Sequence, residues 1–327
     1  CRPRPLGERP DLDRTAEDAA RHLEEPLDTG RHERTIPVDG AAGTIRATDG
    51  EDALDTTTLL GIAHAERARL GRVVQFASPE SWEAPSPCQG WRNRDVMAHL
   101  AAQETAAVQV VRGEAPEEFD AFRAANGGEF WVDGFNESAV RVRAEVPTRR
   151  VLEDWGRAAD LLLADLGALD DEAWRTRRAP WVAGEIGIRY LVQSRVVEWW
   201  FHGEDVREGA ELDPNPQHWP IHLANDLAIR MLPWSLGSAG IALPGRTVRF
   251  DLEGVGGGSW LWSLSGREAP DPDRKPDAFV QGRAVAFALV AGRRFPPMTF
   301  LDAGDLVVGG DEDLAFTVLD HLRAFAA

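Results

Sequence analysis

Glu198 and His202 stand four residues apart in the stretch RVVEWWFHGEDVREG, which runs from Arg195 to Gly209. On a helix that spacing puts both side chains on one face, about one turn apart. Trp199, Trp200 and Phe201 lie between them and mark the segment as largely buried. A carboxylate and an imidazole on a core-facing helix suit a transition metal, which takes imidazole nitrogens and carboxylate oxygens and keeps a position open where chemistry is done. A third ligand must then come from the apolar side of a facing helix. His99 in RDVMAHLAAQ meets that requirement, three residues after Val96 and next to Leu100. Asp205, three beyond His202, is placed to hold the second imidazole nitrogen, as outer carboxylates do around bound metals. The rival account is plain: a Glu/His pair at this spacing is often a surface pair, and a single buried histidine is often only a satisfied core residue. Spacing alone leaves both open.

Other reactive constellations are poorly supported. Cys88 in SPCQGW lies in a loop with no base evident beside it, and no GxSxG or phosphate-binding loop occurs. GVGGGSW reads as a hairpin tip rather than a dinucleotide fingerprint. His218 and His222 are also four apart, but Pro220 between them and the linker-like DPNPQHWP argue against a shared helical face. His64 is a possible neighbour or replacement ligand, and His22, His32 and His321 look incidental.

The elements that must position these residues are mostly helices. TTTLLGIAHAERARLGRVVQFAS carries Leu59, Ile62, Ala63, Leu70, Val73 and Val74 at helical spacing. RDVMAHLAAQETAAVQVVRGE, PTRRVLEDWGRAADLLLADLGAL and VAGEIGIRYLVQSRVVEWWFHGEDVREGA complete four long amphipathic helices, the composition of a bundle whose core can host ligands from facing helices. Another helix is expected from about Ile221 to Leu236. Beyond Gly240 the period becomes two: RTVRFDLEG and GSWLWSLSG read as a hairpin, DAFVQG as a further strand, and RAVAFALVAGR and DEDLAFTVLDHLRAF as helices. The fold class is therefore α+β. The expected organisation is a turn-rich extension over 1–54, a four-helix bundle over 55–212, and a linker with a small α+β domain over 213–327.

Composition narrows the partners. A formal net charge of -18 argues against nucleic acid and anionic membranes, both of which call for basic surfaces. No apolar run approaches the roughly 20 residues of a membrane span. Lys275 is the only lysine among 36 basic residues, a codon bias of GC-rich genomes. Two cysteines, Cys1 and Cys88, make no disulfide framework, so a cytoplasmic setting is expected.

With these residues in view, ERARLGRVVQFASPESWEAPSPCQGWRNRDVMAHLAAQE resembles the N-terminal region of the mycothiol-dependent maleylpyruvate isomerase family, a branch of the DinB-like metal-binding bundles. The Glu-x3-His-Gly-x-Asp run resembles the last bundle helix of that family, and the region from about Leu243 resembles its sterol-carrier-like α+β domain. The resemblance implies His99, Glu198 and His202 as ligands of a divalent metal, zinc above all, and mycothiol or a similar thiol as cofactor. It implies an isomerase or S-transferase acting on a small electrophile, in an actinobacterial setting, with a non-catalytic metal-containing binding protein as the alternative. FALVAGRR stands where members carry Leu-x-Gly-Arg, and Arg293 is the candidate arginine of the C-terminal domain to reach the cleft between domains and hold an anionic substrate or thiol conjugate; Arg293 ending a helix and meeting its dipole is the competing account. Two departures stand out: Arg92 replaces the usual Thr or Ser helix cap, with Asn93 a possible substitute, and FPPMTFLDAGDLVVGGDEDLA is longer than the family's run.

Overall fold

A computed structural model describes residues 54–181, 184–265 and 274–325. The extension expected over 1–54 lies outside the described residues except for Leu54. Four long helices form the bundle: α1 (Thr56–Phe76), α3 (Asn93–Arg112), α6 (Thr148–Gly167) and α8 (Ile188–Gly209). Short helices α2 (Pro79–Glu83), α4 (Glu117–Ala125), α5 (Val132–Val142) and α7 (Asp171–Thr176) fill the connections. Local chemistry explains the boundaries. Asp55 caps α1 by accepting from the Thr58 N–H at 2.8 Å. Gly113 ends α3 with φ 79°, a left-handed cap that favours glycine. On α6, Val151, Trp155, Ala159, Leu162 and Leu166 make one apolar stripe that packs on α3.

Helix α3 is buried on nearly every side, from Asn93 to Val111. Its start is held without a conventional cap. Asp95 accepts from the Arg92 backbone N–H at 3.0 Å and from its guanidinium at 2.9 Å, since an arginine side chain cannot itself accept. Asn93 does not substitute as the cap. It is fully buried and donates to Ser81 O at 2.9 Å and Val206 O at 3.3 Å, tying α3 to α2 and the end of α8.

Three expectations need correction. Helix α8 starts at Ile188 rather than Val182, because Gly184–Gly187 is a strand (β2) paired antiparallel with β1 (Arg178–Trp181); glycine at both ends weakens the helix there. The DPNPQHWP segment is linker only as far as Gln217. Helix α9 runs His218–Ser238, and Pro220 sits in its first turn, where its missing N–H is no loss. His218 and His222 therefore do share a face, with rings 5.9 Å apart and nearly parallel. Their Nδ1 atoms engage the hairpin tip: His218 accepts from Gly256 N–H at 3.2 Å and His222 lies 3.0 Å from Gly257 O. His64 is exposed on α1 and takes no part in the histidine cluster.

Beyond α9 a four-stranded sheet runs in the order β4 (Gly258–Ser263), β3 (Thr247–Glu253), β5 (Ala278–Arg283), β6 (Leu306–Gly310). β3 pairs antiparallel with β4 and parallel with β5, and β5 pairs antiparallel with β6. The segment after Arg294 supplies α11 (Pro297–Leu301) and the edge strand β6. Helices α10 (Ala284–Ala291) and α12 (Glu312–Asp320) pack on the sheet, and α9 bridges α10 to α8. The chain leaves the helix after Asp320, and Ala324 N–H bonds Ala291 O at 2.9 Å, which carries Phe325 back to the bundle. The expected boundary at 212/213 falls in the loop between α8 and α9. Among the described residues no helix is long and apolar enough to cross a membrane.

One buried acid is a liability of the bundle. Glu66 on α1 is 3% exposed; burial pushes its carboxyl up to about 7, and Arg69 at 3.2 Å offsets this only in part. The folded protein keeps that proton well above the ordinary value of 4.5, so stability falls as pH rises through this window, by roughly 3 kcal/mol in full. Glu66→Gln is therefore expected to melt higher than wild type at about pH 8 and to lose that advantage near pH 4. Thermal unfolding at the two pH values checks this; an equal gain at both would mean burial of the charge is not the cause.

Candidate metal centre

The antiparallel approach of α3 and α8 brings three donor atoms together. His99 Nε2 and His202 Nε2 lie 3.3 Å and 3.2 Å from the same oxygen of Glu198, Oε2. The two imidazole rings meet edge to face with centroids 5.0 Å apart. All three donor atoms fall within 4.8 Å of one another. Both histidines are buried and Glu198 is partly so. Burial drives the His99 pKa down to about 4, which leaves a neutral imidazole with a lone pair at neutral pH. Burial works against an ionised Glu198, but the bonds from His202 and His99 and the charge of Arg195 outweigh it and hold the carboxyl well below its ordinary value. Two imidazole nitrogens and an ionised carboxylate oxygen make a donor set that fits a divalent cation.

Asp205 lies where its spacing predicts. Its Oδ2 is 2.9 Å from His202 Nδ1, so the carboxylate fixes the ring and leaves Nε2 to face Glu198. Burial favours a protonated Asp205, yet Arg294 and His202 together bring it down to about 2. Arg294 engages it as a fork, with Nε 3.0 Å from Oδ1 and Nη2 on Oδ2. The guanidinium also lies 5.1 Å from the Phe201 ring, and Phe325 lies nearly parallel to the His202 ring at 6.3 Å. The C-terminal part of the chain thus completes the surroundings of His202.

Cys88 differs from its sequence reading. The loop that holds it folds over α8, and its Sγ lies 3.3 Å from Asp205 Oδ2 and 3.9 Å from His202 Nδ1. Cys88, His202 and Asp205 thus lie within metal-ligand distance of one another, but Cys88 is disulfide-bonded, and a disulfide sulfur offers no thiolate to a cation. Both Asp205 oxygens already serve Arg294, so the His99, Glu198 and His202 group is the better donor set. Arg293 is half-buried with φ 57°. Burial lowers its pKa, Arg323 adds to this, and Asp133 on α5 opposes it. The arginine that reaches Asp205 is its neighbour, Arg294.

The sequence reading missed four contributors. Trp91 stands 5.4 Å from His99 and donates its Nε1–H to Glu137 at 3.2 Å. Arg195 and Glu104 lie behind Glu198, and Phe325 covers His202. Arg195 was the most accessible of these, since it precedes Glu198 by three residues and so shares its face.

These features define a class: a helical bundle with an internal two-histidine, one-carboxylate cluster, joined to an α+β part that closes over it. Residues 63–207, which contain all three donors and Asp205, match the family model described as the Mycothiol maleylpyruvate isomerase N-terminal domain. Two uncharacterized proteins of Mycobacterium tuberculosis, from strains CDC 1551 / Oshkosh and ATCC 25618 / H37Rv, are each 25% identical over 203 residues, which is 62% of this chain and 75% of the relative. The crystal structure of a mutant of the mycothiol-dependent maleylpyruvate isomerase shares the fold, with a TM-score of 0.51 at 15% identity, over 79% of this chain and 95% of that one.

Proposed function

We propose that the protein is a metal-dependent enzyme that uses mycothiol, or a similar small thiol, to isomerise a small electrophilic substrate such as an activated alkene or, as an S-transferase, to join the thiol sulfur to it. The observation that carries this reading is the convergence of His99, Glu198 and His202 on one point, with His202 oriented by Asp205. These three residues would hold the cation, and zinc is the ion best matched to two imidazoles and one carboxylate, although ferrous iron takes the same set. A cation held by these residues would lower the pKa of a bound thiol and so supply a thiolate at neutral pH.

The chain's own residues do the rest. Glu198 and the imidazoles supply the electron pairs, and Asp205 keeps the His202 proton on Nδ1. Trp91 and Phe325 lie against the two imidazoles, Trp91 beside His99 and Phe325 beside His202. Arg293, in the C-terminal part, is assigned to a substrate carboxylate, a role that suits a planar cation able to bond in two places. In the isomerase form the thiol would add reversibly to the alkene beside a carbonyl and leave again after rotation, giving the trans isomer. In the transferase form it would stay bonded to carbon while the neighbouring carbon takes a proton.

The test is a thiol-dependence assay on zinc-loaded protein with a panel of activated alkenes. Turnover is expected only with metal and thiol together, and chelation or omission of thiol should each abolish it. Activity in chelated protein, or none across the panel with mycothiol and other thiols, would favour the non-catalytic binding protein.

A further inference from the structure

Behind the candidate ligands lies a second pair of buried charges that the proposed reaction does not use. Arg195 is one turn before Glu198 on α8, and its side chain is 3% exposed. Its Nη2 lies 3.7 Å from Glu198 Oε1, and its Nη1 lies 3.3 Å from Oε1 of Glu104 on α3. Glu104 is fully buried and also accepts from Trp199 Nε1–H at 2.7 Å. The guanidinium rests 5.0 Å from the Trp181 ring of the β1–β2 hairpin, which fixes its plane.

A buried arginine gains most by forking onto one carboxylate, as Arg294 does with Asp205. Arg195 instead divides its two Nη atoms between two carboxylates. The Glu198 oxygen it faces is Oε1, whereas the oxygen facing both histidines is Oε2. The two oxygens of one carboxylate are thus sorted, one to the arginine and one to the imidazoles.

We propose that Arg195, braced by Glu104 and Trp181, is a positioning residue that occupies Oε1 of Glu198 and so limits this ligand to a single donor oxygen. The proposal rests on the metal reading above. A carboxylate free to turn presents both oxygens to a cation, and the second oxygen would take the position a thiol needs. Arg195 keeps that position open.

The experiment uses cobalt(II) on the full-length protein, because cobalt absorbs visible light strongly in low coordination and weakly in high coordination. Wild type, Arg195→Met, Arg195→Lys and Glu104→Gln are titrated and followed by absorption and by competition with a chelator. Wild type should give the intense spectrum. Arg195→Met should give the weak one, with cobalt affinity altered by roughly 10- to 100-fold, the scale at which partners of metal ligands act. Arg195→Lys should recover part of the wild-type spectrum, since an ammonium can hold Oε1 but cannot bridge to Glu104. Glu104→Gln should move in the same direction as Arg195→Met by less. Wild-type spectra and affinities in both Arg195→Met and Glu104→Gln would overturn the proposal and leave the pair as core packing. If Arg195→Met does not fold, Arg195→Lys and Glu104→Gln decide on the same readouts. A wild type that takes up no cobalt overturns the metal reading itself, and that outcome is visible before any variant is compared.

Discussion

Replacing His202 by alanine is expected to strip the protein of its bound metal, with zinc measured at about one equivalent in wild type and near none in the variant. The imidazole supplies Nε2 beside Glu198 Oε2 at 3.2 Å, and no neighbouring side chain replaces it, because Asp205 is already held by Arg294. The loss should exceed the roughly 10- to 100-fold that follows removal of a mere partner of a ligand. His202→Ala should nonetheless fold, since the Asp205–Arg294 pair stays intact and no buried charge is orphaned. Elemental analysis of dialysed protein is the check. Equal, stoichiometric zinc in both proteins would remove His202 from the ligand set, and with it the proposed chemistry.

Arg294→Ala is expected to be the most destabilising single change at the site. Asp205 and Arg294 side chains are 3% and 7% exposed, so removing the arginine leaves a carboxylate that burial no longer tolerates. Breaking a buried pair from one side costs about 3–5 kcal/mol. The variant also loses the platform between Phe201 and Phe325, so the C-terminal segment should loosen from the bundle. Chemical denaturation of the wild type, Arg294→Ala, Asp205→Asn and the double variant provides the measurement. The double variant should be more stable than the sum of the single losses, because the orphaned charge is gone. Strict additivity would show that the fork carries no pairing energy.

The helices of the bundle were legible in the sequence because their signals are local. An apolar stripe, a cap such as Asp55 and a stop such as Gly113 act within one or two turns. The same holds for the spacing of Glu198, His202 and Asp205, which a helix converts directly into a shared face. Where a local signal was misread, a neighbour decided the matter. Gly184–Gly187 became a strand because Arg178–Trp181 offered it a partner, and Pro220 was compatible with a helix because it fell in the first turn.

What the sequence by itself determined, then, is the class of each long element and the line of carboxylate and imidazole along one face of α8. What only the tertiary structure decided is which further distant groups support that face: Glu104 with Arg195 from 91 residues away, and Arg294 with Asp205 from 89. Arg293 and Arg294 are adjacent and chemically identical, so no local pattern separates them. The left-handed turn at Arg293 sends the next side chain, and not its own, to Asp205. The physical reason is one of range. Backbone periodicity is set by hydrogen bonds between near neighbours, whereas pairing between buried charges depends on how whole helices cross and on the rotamers their packing leaves open.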